Sequence, residues 1–141
     1  MTPFKLQIIT PDGVFFDGMT ENVIVRTTVG DKGILAHHEP YVAAITISRF
    51  KVKIDGEFRC GAISSGVIKV DKEKTVILAQ SCEWADEIDL DRAVKAKELA
   101  EQRLGEYKSL PDFNEKEISV AEYKLMRALN RIEAAKLTKI K

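Results

Sequence analysis

From Phe4 to about Gln80 the chain alternates apolar and polar residues with period two, and from Asp89 onward apolar residues recur with period 3.6. That split constrains the fold more than anything else in the sequence. No helix-length pattern interrupts the first half, so a parallel sheet with crossover helices is not expected. The alternation is clearest in "FKVKID", where Phe50, Val52 and Ile54 point one way and Lys51, Lys53 and Asp55 the other. Asp55-Gly56 is a hairpin signal, because both turn positions favour positive φ. The next strand is expected to resume with Phe58, Cys60 and Ala62 inward and Glu57 and Arg59 outward. Similar runs occur at "KLQIIT", "GVFF", "NVIVRTT", "AAITI", "GVIKV" and "TVILA". Turns are expected at Pro11-Asp12-Gly13, Asp17-Gly18, Gly30-Asp31-Lys32-Gly33 and Asp71-Lys72. About ten short strands with such punctuation predict a β-sandwich or a barrel.

In the second half, Ala93, Ala96, Ala100, Leu104 and Tyr107 form a stripe of mostly small residues. Gly105 weakens the last turn of this helix, and Pro111 marks a connection. A second helix is expected to start near Ser119, where "SVAE" reads as a capping box. Its stripe is Ala121, Leu125, Ala128, Ile132 and Ala135. Two Ala-rich stripes predict an antiparallel helical hairpin. Small side chains bury little area, at about 25 cal/mol per Å², so the hairpin is expected to be weakly held. The domains are expected at residues 1–84 (sandwich) and 85–141 (hairpin).

Composition narrows the function. Charged residues make up 31% of the chain but sum to a net charge of zero, which argues against nucleic acid as the main partner. The opening "MTPFKLQIITPDG" has no basic region followed by a long apolar run, so no secretory signal is expected. The longest uncharged apolar stretch, "YVAAITI", falls far short of the roughly 20 residues a bilayer span needs. Membrane association is therefore expected only through a partner. Cys60 and Cys82 lack CxxC spacing and read as packed, reduced thiols. The charge is unevenly placed: from Ser119 onward there are six Lys and Arg against two Glu. Lys124, Arg127 and Arg131 recur at i, i+3 and i+7, on one helix face. Such a face is either simply solvated or docks on an acidic partner or anionic ligand.

Catalytic constellations are missing. His37 and His38 are adjacent, and no separated metal-ligand set or HExxH is present. "GAISSGVIK" has the glycine spacing of a phosphate loop, but Val67 and Ile68 stand where Lys and Ser/Thr are required. A bend between strands explains Gly61 and Gly66 better. An enzyme on this core would need a cleft with paired acids or a metal, and neither is visible. The remaining oddity is "EIDLDRA", Glu87 to Ala93. Asp89 or Asp91 suits a helix cap. Arg92 does not, because the helix dipole disfavours a cation there without a carboxylate or phosphate partner. The stretch is thus a cap, a polar clamp between the halves, or part of an anion site.

Taken together, these segments resemble the epsilon subunit of bacterial F-type ATP synthases over the whole length. "KLQIITPDGVFFDG" resembles its opening strands. "VGDKGILAHHEPYVAAI" resembles its Gly-acid-x-Gly-Ile turn, and "GVIKVDKEKTVILAQSCEWADEIDLDRA" its sandwich end and helix start. "IDLDRA", Ile88 to Ala93, matches the family's I/L-D-x-x-R-A motif, associated in several members with ATP binding. The resemblance implies a non-catalytic rotor subunit with no required cofactor. Its partners would be the gamma subunit, the membrane c-ring and the alpha/beta catalytic head. It would sit peripherally on the cytoplasmic side of the bacterial plasma membrane, couple ion flow to ATP synthesis, and restrain ATP hydrolysis through its helices. Asp31 and His38 match positions near the c-ring contact, with Ala36, His37 and Glu39 departing from the family's pattern there. ATP as a regulatory ligand would meet Glu83, Ile88, Asp89, Arg92, Ala93, Arg127 and Arg131. Lys124, Arg127 and Arg131 would carry the inhibitory docking. Leu99 stands where ATP-binding members often have Arg, a loss of about 1.5–3 kcal/mol, or roughly tenfold to a hundredfold in affinity. The alternative is a free-standing nucleotide-sensing protein without a rotor role.

Overall fold

Asp55 and Gly56 have φ of 52° and 84°, the two left-handed positions of a tight hairpin turn. They join β6 (Ser48–Ile54) to β7 (Glu57–Ile63) in a computed structural model that describes residues 2–112 and 114–139. A two-residue turn pairs the residues that flank it, so Ile54 faces Glu57, Val52 faces Arg59 and Phe50 faces Gly61. Ladder partners share a face of the sheet. β7 therefore sends Arg59, Gly61 and Ile63 to the core side; Phe58 and Cys60, expected inward, lie on the other face, as does Ala62, which is nevertheless buried there. The alternation does not carry on through the turn: Ile54 and Glu57 are partners and share a face, so the core-facing residues change from even to odd numbers. Phe58 lies on the outer face, with the Lys53 ammonium 5.7 Å from its ring centroid.

Two other expected turns are strand. β2 (Gly13–Thr20) runs straight through Asp17-Gly18, which pair with Gln7 and Leu6 of β1 (Phe4–Thr10). β4 (Gly30–Ile34) contains Asp31, Lys32 and Gly33, paired with Arg26, Val25 and Ile24 of β3 (Asn22–Thr27). The turn itself is Thr28-Val29. Its glycine signal is displaced by one residue because Gly30, with φ of 119°, closes the turn instead of forming it. Thr27 Oγ1 holds it, accepting from the Val29 N–H at 3.2 Å and donating to the Gly30 carbonyl at 2.7 Å. Gly61 is not a bend either. It lies within β7, where a Cβ would overlap the Phe50 ring and the Glu83 carbonyl.

The remaining strands are β5 (Tyr41–Ile45), β8 (Gly66–Val70), β9 (Thr75–Ala79) and β10 (Cys82–Trp84). One continuous sheet runs β10-β7-β6-β3-β5-β8-β9-β1-β2, with β4 beside β3. Only β1 and β9 run parallel among these pairs. Thr27 of β3 bridges to Ile45 of β5, which lets the sheet fold over into the expected sandwich. Its core includes Leu6, Ile8, Val23, Val25, Phe50, Val52, Ile68 and Ile77. Phe15, Phe50 and Trp84 pack as an aromatic cluster at one part of it.

The chain divides into two compact units, Met1–Asp86 and Glu87–Lys141. The second consists of α1 (Leu90–Ser109) and α2 (Glu115–Lys139). Ala93 and Ala100 of α1 are buried, as are Ala121, Ala128, Ile132 and Ala135 of α2. The alanines recur every seven residues, which keeps one narrow seam facing the partner helix. α1 ends at Ser109 because Pro111 forces Leu110 into extended backbone, φ −77° and ψ 140°. α2 starts a turn before the expected Ser119. Asn114 is its cap: the Oδ1 accepts from the Lys116 N–H at 2.9 Å, and the carbonyl from the Ile118 N–H at 3.1 Å. The capping-box pattern of "SVAE" therefore falls inside the helix.

Candidate functional site

The alanine seam lets α1 and α2 approach closely, and the longer side chains beside it form the walls of a groove. Its cavity has a volume of about 560 Å³. Its apolar part is Ala96, Leu99, Ala100, Ala121, Val120 and Ala128, with Tyr107 toward the interhelical turn. Five cations line it: Arg103 from α1, and Lys116, Lys124, Arg127 and Arg131 from α2. Glu117 is the one acid in that lining. A concave site with an apolar floor and excess positive charge suits a ligand with a flat or apolar body and several negative charges. Arginine adds a fork that holds phosphate oxygens in pairs.

The structure sorts the expected site residues into separate groups. Lys124, Arg127 and Arg131 line the groove together. Asp89 does not line it; its Oδ1 accepts from the Arg92 N–H at 3.1 Å, and its carbonyl from the Ala93 N–H at 3.1 Å. Asp89 is thus the N-cap of α1, one of the three roles open to "EIDLDRA". Ala93 is fully buried and Ile88 half-buried, while the Arg92 side chain is exposed. Glu83 belongs to the sandwich unit, on β10 opposite Ala62. Sequence reading missed Arg103, Lys116 and Tyr107 as groove residues. The available signal was spacing: Ala96, Leu99, Arg103 and Tyr107 recur three or four apart and so share a face of α1.

Asp31 and His38 sit in the sandwich unit. Asp31 lies directly across the ladder from Arg26, whose Nε donates to its Oδ1 at 2.8 Å. This hydrogen bond holds the Asp31 carboxyl below its ordinary pKa and raises that of Arg26. The carboxylate is thus already engaged within its own hairpin. His37 and His38 are in a turn after β4, not on a strand, and His37 has φ of 64°. Glycine suits such backbone better than histidine. His38 Nδ1 lies 2.7 Å from the Glu39 carbonyl, so the proton is on Nδ1. Its ring meets Tyr41 at 5.8 Å, and the Lys32 ammonium stands 5.0 Å from the same Tyr41 ring.

An outer apolar row also escaped sequence reading. The ladders place Ala44, Val67, Leu78, Ile9 and Val14 side by side across five strands. Val14 is 63% exposed and Leu78 54%. The signal was present in "TVILA", which is apolar at both parities. Among the described residues no three His, Cys, Asp or Glu form a metal cluster, and no helix is long and apolar enough to cross a membrane.

Comparison with known proteins gives the same result for each unit. Residues 3–85 match the family model of the ATP synthase delta/epsilon chain β-sandwich domain, and residues 86–136 that of its long α-helix domain. The ATP synthase epsilon chain of Ruminococcus albus is 44% identical over 136 residues, 96% of this chain and 98% of that one. That of Alkaliphilus oremlandii is 48% identical over 101 residues, 72% of this chain and 75% of that one. A chain in the cryo-EM structure of the Euglena gracilis mitochondrial ATP synthase shares the fold. Its TM-score is 0.76 at 24% identity, covering 96% of this chain and 82% of that chain.

Proposed function

Because the chain belongs to the ATP synthase delta/epsilon family, we propose that it is the epsilon-type rotor subunit of the central stalk, non-catalytic, with a helical unit that restrains ATP hydrolysis and takes ATP as a regulatory ligand. It couples ion translocation to ATP synthesis by tying the gamma subunit to the c-ring. The outer row from Ala44 to Val14 supports this role, because an apolar stripe across five strands is a surface for a partner protein. That row is the docking face for gamma. The β3–β4 hairpin bearing Asp31 and the loop bearing His38 meet the c-ring, and the basic face of α2 meets the catalytic head. The subunit reaches the cytoplasmic side of the bacterial plasma membrane only through the complex.

The observation that carries the regulatory reading is the groove, with its five cations, one acid and contributions from both helices. An anion held by Arg103 on one side and Arg127 and Arg131 on the other is lost when the helices separate. Bound ATP therefore favours the closed hairpin by its differential affinity. At free ATP a hundred times the Kd this amounts to about 2.7 kcal/mol, enough to move a balanced equilibrium almost fully. Docking on the catalytic head uses the same Lys124, Arg127 and Arg131, so a closed, ligand-filled groove removes the brake.

Calorimetric titration of ATP into the isolated chain, with and without magnesium, tests this. Saturable binding is expected. Arg127→Ala and Arg131→Ala should each weaken it roughly tenfold to a hundredfold, the loss of a charged contact worth about 1.5–3 kcal/mol. Asp89→Ala should chiefly fray α1. An absence of heat at millimolar ATP would contradict the ligand reading and leave the groove to the docking role.

A further inference from the structure

A cation sits where the sandwich releases the chain. β10 is only three residues long, and its recorded ladder is with Gly61, Ala62 and Ile63 of β7. So short an edge strand frays readily unless something else holds it. Arg59 stands at that place. Its guanidinium carbon lies 4.3 Å from the Trp84 ring centroid, and its Nη2 donates to Asp86 Oδ1 at 3.0 Å. The phase of the Asp55-Gly56 turn brings Arg59 to the core side, opposite Val52. Trp84 is packed in turn against Phe15 at 4.9 Å, Phe50 at 5.6 Å and Phe16 at 6.1 Å. A single side chain thus grips a core residue and an exposed one two positions apart. Asp86 lies in a 3-10 turn, Ala85–Glu87, and Ile88 alone separates that turn from Asp89, which is fixed as the cap of α1.

We infer that Arg59 is a positioning residue that anchors the end of the sandwich unit through Trp84 and Asp86 and confines the pivot of the helical unit to Ile88. A planar guanidinium is suited to this, since it stacks on the indole face and still donates sideways to a carboxylate. A lysine ammonium supplies the charge without the fork. The inference rests on the regulatory reading only in that the helical unit rearranges. The clamp itself is a property of the isolated chain.

The test is amide hydrogen exchange on the full chain, with acrylamide quenching of Trp84, the single tryptophan. Wild type, Arg59→Gln and Arg59→Lys are compared. In the wild type, Cys82–Trp84 should exchange with β6 and β7, and Ile88 much faster. Arg59→Gln should speed exchange of Cys82–Asp86 at least tenfold and raise quenching, leaving β1 and β8 unchanged. Arg59→Lys should recover part of the protection. ¹⁵N relaxation adds a readout that a merely stabilising contact would not move: local mobility, confined to Ile88 in the wild type, should spread back to Cys82 in Arg59→Gln. If that variant does not fold, Asp86→Asn loosens the exposed half alone and should speed exchange at Ala85–Asp86. Wild-type β10 exchanging as fast as Ile88, or variants as protected as wild type, would overturn the inference. None of these readouts uses ATP, so failure of the clamp and failure of the nucleotide reading are separable.

Discussion

Asp31 shows how a single neighbour redefines a residue. Read by resemblance, it is an acid that faces a partner. In the structure its negative charge is answered across the ladder by Arg26, so a contact there has to share the carboxylate with an internal cation. Because the folded carboxyl is held below the ordinary Asp value, its stabilising contribution is present above a pH of about 4 and lost as pH falls through the folded pKa. Carbon-13 titration of Asp31 should give a midpoint below that of an ordinary Asp, moving up in Arg26→Gln; an unchanged midpoint would show that the pair does not persist in solution. Cys82 is shifted the other way. Burial, with the Glu83 charge second, pushes its thiol up to about 12. The native thiol should resist alkylation at pH 8 and react once urea unfolds the chain. Its raised pKa favours folding fully below a pH of about 8.5, and that contribution fades as pH climbs toward 12. Gly61 is the third case. Gly61→Ala forces a methyl into the Phe50 ring and the Glu83 carbonyl, and a cost of about 1–3 kcal/mol is expected in denaturant unfolding.

At the scale of elements, periodicity carried most of the information. The strands of the first half and the two helices of the second follow from the change of period at Asp89. What failed was phase and punctuation. β7 came out one residue off because a tight turn fixes partners by counting, not by resuming the pattern. Asp17-Gly18 and Gly30 to Gly33 look like turns in composition, yet ladder pairing absorbs them. At α2, Ser119 has the right partner in Glu122 for a capping box, but the helix already has a cap at Asn114. Asn114→Ala should cost about 1 kcal/mol and fray the first turn of α2. Ser119→Ala, inside the helix and exposed, should stay within about 0.5 kcal/mol. Thermal unfolding of both variants checks this, and the reverse ranking would place the helix start where the sequence suggested.

For the whole molecule, the site was only partly legible. Lys124, Arg127 and Arg131 stood out by their i, i+3 and i+7 spacing, and all three line the groove. Arg103 was missed because a groove wall is a property of two helices facing each other, and one helix read alone shows only its own stripe. Leu99 counted as a lost cation, yet Arg103 lines the same cavity one turn further along α1. The outer row from Ala44 to Val14 was missed for the same reason, since its members come from five strands. The central claim is that the basic face of α2 acts as a brake in the assembled enzyme. It is tested most directly by ATP hydrolysis in the reconstituted catalytic head and gamma, with the full chain carrying Lys124→Glu, Arg127→Glu and Arg131→Glu together. The account predicts that this variant still joins the complex through its sandwich but no longer restrains hydrolysis. Restraint equal to that of the wild-type chain would contradict it.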